Sequence, residues 1–266
     1  GVQTCALPIY LILLNSISSR FPQGFGNDSG VLGKYIAFHN YRAGLTGVMD
    51  SFSDKYVFGR NPSEPILANY RNLGKQEMDY VGGFTTFSGG YRTRGDENKL
   101  EGLCGAELKS AVQTPGPWHL YMYMQGETIP KSSNHVRLSK DLKDPFGIPQ
   151  LITSVDYDDN DEKMIRDFLE QSSEMLAAAG CKEIVTRDSH QAPGLDIHEM
   201  GGCRMGKDPG NSMLNEWNQI HASKNVFVTD GACMTSTGNQ SPSILYMALT
   251  ARAANHAVDE INKGNL

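Results

Sequence analysis

The sequence predicts an α+β fold, an antiparallel sheet with helices flanking it. Three observations carry that prediction. Several strand-like stretches precede the first long helical one, without the alternation of strand and helix that builds a parallel sheet. Residues 118–124 alternate, so Trp118, Leu120, Met122 and Met124 share one face while His119, Tyr121, Tyr123 and Gln125 share the other. Residues 159–179 instead repeat at helical spacing, with Met164, Ile165, Phe168, Leu169, Met175, Leu176 and Ala179 on one stripe.

In chain order, residues 10–14 read as a short apolar strand that enters a Gly/Asn/Ser-rich loop over 21–30 and a turn or brief helix over 32–39. Residues 65–70 and 80–88 read as aromatic strands. Glycines at 82, 83, 89 and 90 mark bulges or close backbone approach, and both sheet packing and ligand contact would explain them. The polar face of 118–124 either floors a pocket for a polyhydroxylated ligand or is an exposed sheet face. Residues 134–139 and 150–157 are two more strands, joined by a turn over 143–149 rich in Asp, Pro and Gly. Asp159 and Glu162 form a capping box for the 159–179 helix, and Gly180 stops it. Residues 183–187 return as a strand and 224–230 as a buried strand. The last helix runs over 242–262, with Ser241 as N-cap, Pro242 in its first turn and Gly264 at its end. Its alanines at 248, 251, 253, 254 and 257 make it thin enough to pack closely.

The chain has 266 residues, of which 39% are hydrophobic and 20% charged, an ordinary globular balance. A net charge of −6 without a basic stripe argues against a nucleic-acid partner. Five cysteines (5, 104, 181, 203 and 233) form no C-x-x-C pair, so neither a zinc framework nor a disulfide framework is indicated. The most apolar run, 5–14, is too short to span a bilayer, so no transmembrane segment is expected. The compartment, periplasmic or cytoplasmic, stays open.

Chemistry is announced by residues 198–206, where His198 stands just before Gly201, Gly202 and Arg204. A neutral imidazole is the side chain best matched to taking a proton near pH 7. The glycine step would let a flat ligand approach the backbone. Further on, Asp230-Gly231 ends an apolar stretch, and the start of the last helix carries roughly half a positive charge suited to an anion or a reduced flavin. A zinc reading of His198, Cys203 and His221 matches no usual ligand spacing. A Ser241–His198 hydrolase lacks the G-x-S-x-G elbow. No metal is expected.

From about residue 10 onward the sequence resembles the C-terminal half of the glucose-methanol-choline (GMC) oxidoreductases. Residues 198–206 look like that family's H-x-x-G-T-x-R-M-G, followed in order by residues 226–231 and by Ser241-Pro242 with its helix. Residues 114–118 and 146–149 resemble bacterial sugar and gluconate dehydrogenase-like members.

The resemblance implies a flavoprotein that oxidises the CH–OH group of a sugar or other alcohol, with FAD as cofactor and oxygen, a quinone or a cytochrome as electron acceptor. It implies a substrate-domain sheet plus the C-terminal strand and helix of a Rossmann-type FAD domain. On that division residues 10–40 are a remnant of the FAD domain, 41–197 the substrate-binding domain, and 198–266 the catalytic turn and the C-terminal part of the FAD domain. Residues 1–9 look like a translated adapter remnant of the kind found in metagenomic assemblies, and the chain like a fragment, inactive by itself.

By the same resemblance His198 is the catalytic base, and Asp230, Gly231, Asn239 and Pro242 meet the cofactor. The second catalytic position falls on Ser241 when the helix register is kept, with Asn239 as the alternative. Gly202 stands where the family has threonine. A non-catalytic carbohydrate-binding module using Tyr121 and Tyr123 is the other reading.

Overall fold

The fold is described from a computed structural model, which describes residues 7–56, 64–95, 100–195 and 198–266. In chain order its elements are α1 (Leu7–Asn15), β1 (His39–Asn40), β2 (Ala43–Met49), β3 (Ile66–Leu67), β4 (Phe84–Arg94), α2 (Gly105–Gln113) and β5 (Pro115–Glu127). There follow β6 (His135–Lys143), β7 (Pro149–Ser154), α3 (Asp159–Ala178), β8 (Lys182–Asp188) and α4 (Ser243–Asn262). Mixed helix and antiparallel sheet is thus the fold class, as the residue patterns predict. The chain forms two units, one from Gly1–His39, Glu127–Asp158 and Ala192–Leu266, the other from Asn40–Gly126 and Asp159–Gln191. The stretch 41–197 is therefore shared between them.

The second unit is an antiparallel sheet in the order β3-β4-β5-β2-β8. The alternation in 118–124 sets its faces. Met122 and Met124 point inward with Leu45 and Phe84 and meet Met164, Ile165, Phe168 and Leu176 of α3. Phe84 and Phe168 pack edge to face, 5.5 Å between centroids. Each such fully buried side chain contributes about 1.5–3 kcal/mol of transfer free energy, which holds α3 on one face of the sheet. Glu162 serves this unit differently from a capping box: its carboxylate accepts from the Arg42 guanidinium at 2.6 Å, with Asp188 on the other side at 2.5 Å. Of the stretches read as strands, 65–70 keeps only Ile66 and Leu67, and β4 begins at Phe84 rather than at 80.

In the first unit the expected strand at 10–14 is a helix. Five consecutive apolar residues carry no period of their own, so flanking residues decide. Pro8 sits in the first turn of α1, where a missing N–H costs nothing, and Tyr10 and Leu13, one turn apart, enter the core with Leu32, Ile36, Met213 and Ile220. Of the nine opening residues, 1–6 lie outside the described ones, while Leu7, Pro8 and Ile9 belong to α1. β6 and β7 form a hairpin, its turn closed by the Asp144 carboxylate accepting from the N–H groups of Phe146 and Ile148, both at 2.9 Å.

The expected strand at 224–230 does not form. Val228 is buried, but its backbone finds only Asn218, and Phe227 makes a single bridge to Gln219. A strand needs a continuous neighbour, and the described residues offer it only isolated ones. The N-cap of α4 is Pro242 rather than Ser241, with no side-chain cap bond. Along α4, Leu249 and Ala253 are buried, whereas Ala248, Ala251 and Ala254 are exposed.

Candidate active site

The first unit brings the two chemistry-bearing segments together. Residues 200–205 run between two other stretches of backbone. On one side Ala37 and Met200 exchange bonds of 2.9 and 2.8 Å, and Gly33 N–H donates to the Gly202 carbonyl at 2.7 Å. On the other, the N–H groups of Gly201, Cys203 and Met205 donate to the carbonyls of Gly231, Ala232 and Cys233 at 3.2, 3.0 and 3.0 Å.

The glycines are required by this threading. Both have positive φ, 90° at Gly201 and 73° at Gly202. A side chain at Gly201 would run into the Tyr35 carbonyl, and one at Gly202 would lie 2.5 Å from the Tyr10 ring. That corrects the expectation of open room for a flat ligand at this step: Tyr10 fills it and donates its phenol to the Gly201 carbonyl at 2.9 Å.

His198 leads into the turn with φ of 72°, a conformation that a side chain larger than glycine adopts only when its surroundings hold it there. What faces it is His39. The two Nδ1 atoms are 2.8 Å apart and the rings meet edge to face at 85°. His39 is 1% exposed. Burial, and then the neighbouring His198, push its pKa down to about 4, against the pull of hydrogen bonds to the backbone at Gly238 and Thr237. Burial also lowers the pKa of His198, so this half-buried imidazole is neutral near pH 7 and able to take a proton.

His39 escaped the sequence reading because it lies 159 residues from His198 and belongs to no recognisable pattern. The one hint was a histidine in an apolar context, and that is usually a core residue.

The other candidates fall around this pair. Asp230 caps the short 3-10 turn Gly231–Cys233, accepting from the Ala232 N–H at 3.1 Å, and burial raises its carboxyl to about 6. Gly231 is buried where a side chain would meet the Glu199 carbonyl. Asn239 is buried and accepts from the Gln240 amide, two residues after the Thr237 that touches His39. Pro242 is buried, whereas Ser241 is exposed. His221 pairs with Ser212 at 3.0 Å and not with His198 or Cys203. Among the described residues no cluster of three His, Cys, Asp or Glu could hold a metal.

A cofactor with an anionic face fits what this unit offers. The first turn of α4 presents backbone N–H groups without intrahelical partners, beside exposed Ser243, Ile244 and Leu245. Asp230 supplies a half-buried carboxyl group.

Unit two carries the aromatic sheet face by itself. Tyr121 and Tyr123 are stacked at 12°, and both phenols donate to Glu64, at 2.6 and 2.7 Å. Phe87 stacks on Tyr123 and Tyr91 on His119, each with centroids 5.1 Å apart. Gly89 leaves the space that the Tyr121 ring occupies, so sheet packing explains this glycine.

Residues 130–250, which contain the whole His198 turn and the start of α4, match the C-terminal domain of the family described as GMC oxidoreductase. These residues are similar to the GMC oxidoreductases. Relatives over nearly the full chain agree. It is 29% identical over 255 residues to 2-methyl-1,2-propanediol dehydrogenase from Mycolicibacterium austroafricanum, covering 92% of this chain and 45% of that protein. It is 24% identical over 259 residues to the fructose dehydrogenase large subunit from Gluconobacter japonicus, covering 95% and 46%. Pyridoxine 4-oxidase from Mesorbium loti aligns in structure over 87% of this chain and 44% of its own, with 18% identity and a TM-score of 0.41. The chain thus spans less than half the length of these curated GMC relatives, and it matches their C-terminal part. GMC members are flavoproteins, and the relatives named here act on alcohols or sugars.

Proposed function

We propose that this chain is the C-terminal part of an FAD-dependent oxidoreductase that removes a hydride from the CH–OH group of a sugar or other alcohol. The observation that carries the reading is His198, a neutral, half-buried imidazole at φ 72°, inside residues of the GMC family. FAD, when bound, supplies the hydride acceptor, and Asp230, Gly231, Asn239 and Pro242 would hold it together with the start of α4. His198 takes the hydroxyl proton, so that negative charge does not build up on the substrate oxygen as the hydride leaves.

For its partner we favour Asn239 over Ser241. Asn239 is buried on the loop that touches His39, whereas Ser241 is exposed, and a short exposed hydroxyl reaches less far than an amide. Alanine variants of the three residues in the flavin-loaded full-length protein test the assignment. His198→Ala is expected to lose ~10²-fold or more in turnover, Asn239→Ala about 10-fold, and Ser241→Ala little, all with flavin retained. Wild-type turnover in His198→Ala would sink the assignment of the base.

The stacked Tyr121 and Tyr123, with Glu64 across their phenols, favour a second reading, a carbohydrate-binding module that does no chemistry. Sugar binding in a full-length protein that holds no flavin would support that reading instead.

A further inference from the structure

Glu64 stands exposed at the rim of the aromatic face of the second unit, where both of its oxygens accept phenol hydrogens, from Tyr121 at 2.6 Å and from Tyr123 at 2.7 Å. We propose that this carboxylate, held by the two tyrosines, binds the ammonium group of an amino sugar. The site belongs to the second unit alone, and it stands with His198 as base or without it. The sheet explains the placement. β4 lies between β3 and β5, and Glu64 immediately precedes β3, so Tyr121 and Tyr123 of β5 reach across β4 to meet it. Gly89, the register partner of Tyr121, makes room: a side chain there would stand 2.5 Å from the Tyr121 phenol oxygen. Phe87, the register partner of Tyr123, stacks on the second ring at 6°. Both phenols are thereby held, and the carboxylate with them.

Hydrogen counting sets what the rim can bind. An ionised carboxylate only accepts, so each contact spends the single hydrogen of a phenol on Glu64. Those hydrogens stay in place near neutral pH: the bond to Glu64 raises the pKa of Tyr121, and burial followed by the same bond raises that of Tyr123. What remains is lone pairs on four oxygens and one negative charge. Among the described residues Glu64 has no cationic partner. Arg187 shares this face of the sheet but stands on β8, at the far edge from β3.

A rim of acceptors with a negative charge is matched by a group that donates several hydrogens and carries a positive one, and an ammonium does both. The rings beside it add to the attraction, since the face of a tyrosine draws a cation. A neutral hydroxyl donates one hydrogen to the same rim and gains neither charge effect. The body of the ligand follows from the row of rings. Phe87, Tyr123, Tyr121 and Tyr91 succeed one another with centroids 5.1, 6.3 and 6.3 Å apart. Such a row suits the rigid C–H face of a sugar ring, whereas a flexible alkyl amine loses rotor freedom by lying along it.

Titration of the 266-residue chain with glucosamine, glucose, N-acetylglucosamine and cadaverine tests the proposal, read by calorimetry and by the ring NMR signals of Tyr121 and Tyr123. Glucosamine is expected to move both tyrosine signals and to bind about 10-fold more tightly than glucose or N-acetylglucosamine, the combined effect of an exposed ion pair and a cation–π contact. It is also expected to bind more tightly than cadaverine. Glu64→Gln keeps an oxygen for the phenols and removes the charge, and it is expected to bind the three sugars alike. No saturable glucosamine binding, equal binding of the three sugars to the parent, or binding that leaves both tyrosine signals unmoved would each overturn the proposal. So would a preference for glucosamine that survives in a folded Glu64→Gln. Cadaverine binding as tightly as glucosamine would overturn the assignment to a sugar. Should the glutamine variant not fold, the order of the probes and the tyrosine signals of the parent still decide. None of these outcomes touches the base, which turnover in His198→Ala reads alone.

Discussion

At the scale of single residues, the conformation of the His198 turn is set by what its neighbours leave no room for. Gly202 stands at φ 73°, with the Tyr10 ring where a side chain would go. Gly202→Ala is therefore expected to destabilise the protein by ~1–3 kcal/mol, from the positive φ and the overpacking together. Thermal or urea unfolding of this variant beside the parent reads the effect, and an unchanged midpoint would mean that the turn is looser than described. The space that a side chain at Gly202 would take is thus filled by Tyr10. The histidine pair is the other residue-scale feature. Its chemistry was readable for His198, which sits in a glycine-rich pattern, but not for His39, because hydrogen bonding between distant residues leaves no trace in local spacing.

At the scale of elements, reading succeeded where a segment's own period matched its surroundings and failed where neighbours decided. β5 and α3 alternate and repeat cleanly, and both form. Residues 10–14 have no period, and α1 resulted. The nine-residue α2 was not anticipated, since none of its residues is buried and it offers no apolar stripe.

Glu162 shows the same limit. A capping box is a local pattern, whereas its partner Arg42 arrives from β2's approach, 120 residues away. Arg42 is buried between Glu162 and Asp188, and its hydrogen bond holds the Asp188 carboxyl below the usual carboxylate range. Arg42→Ala is expected to cost about 3–5 kcal/mol, because it strands a partly buried carboxylate. The sign with pH follows from the depressed value. The contribution is fully present above about pH 4, the ordinary carboxylate pKa, and is lost as pH falls through the lower folded-state value. Unfolding of parent and variant should differ most at neutral pH and converge in acid, and an equal gap at both would rule out the ion pair as the cause.

At the scale of the molecule, the chain divides into two units that carry different features. One assembles the His198 turn, His39 and the start of α4. The other carries an aromatic sheet face. Nowhere does the sequence contain the G-x-G-x-x-G turn that cradles a dinucleotide pyrophosphate, and the chain spans less than half the length of its curated relatives. The 266-residue chain purified alone is expected to show no flavin absorbance, whereas the same residues within a full-length protein supplying that turn should be yellow. Stoichiometric flavin on the isolated chain would show that Asp230 and the α4 terminus hold more of the cofactor than proposed.

What the sequence by itself determined is the set of properties that local order encodes: an antiparallel sheet with flanking helices, the hairpin turn at Asp144, the long helix from Asp159, and a histidine beside a glycine turn that resembles the GMC pattern. Tertiary structure alone decided that 10–14 is helical, that 224–230 is no strand, that the glycines accommodate Tyr10 and Tyr35, and that His39 faces His198. The physical reason is one of range. Periodicity and turn chemistry act over a few residues, whereas burial, backbone pairing and the partner of an imidazole depend on groups that meet only after the chain has folded.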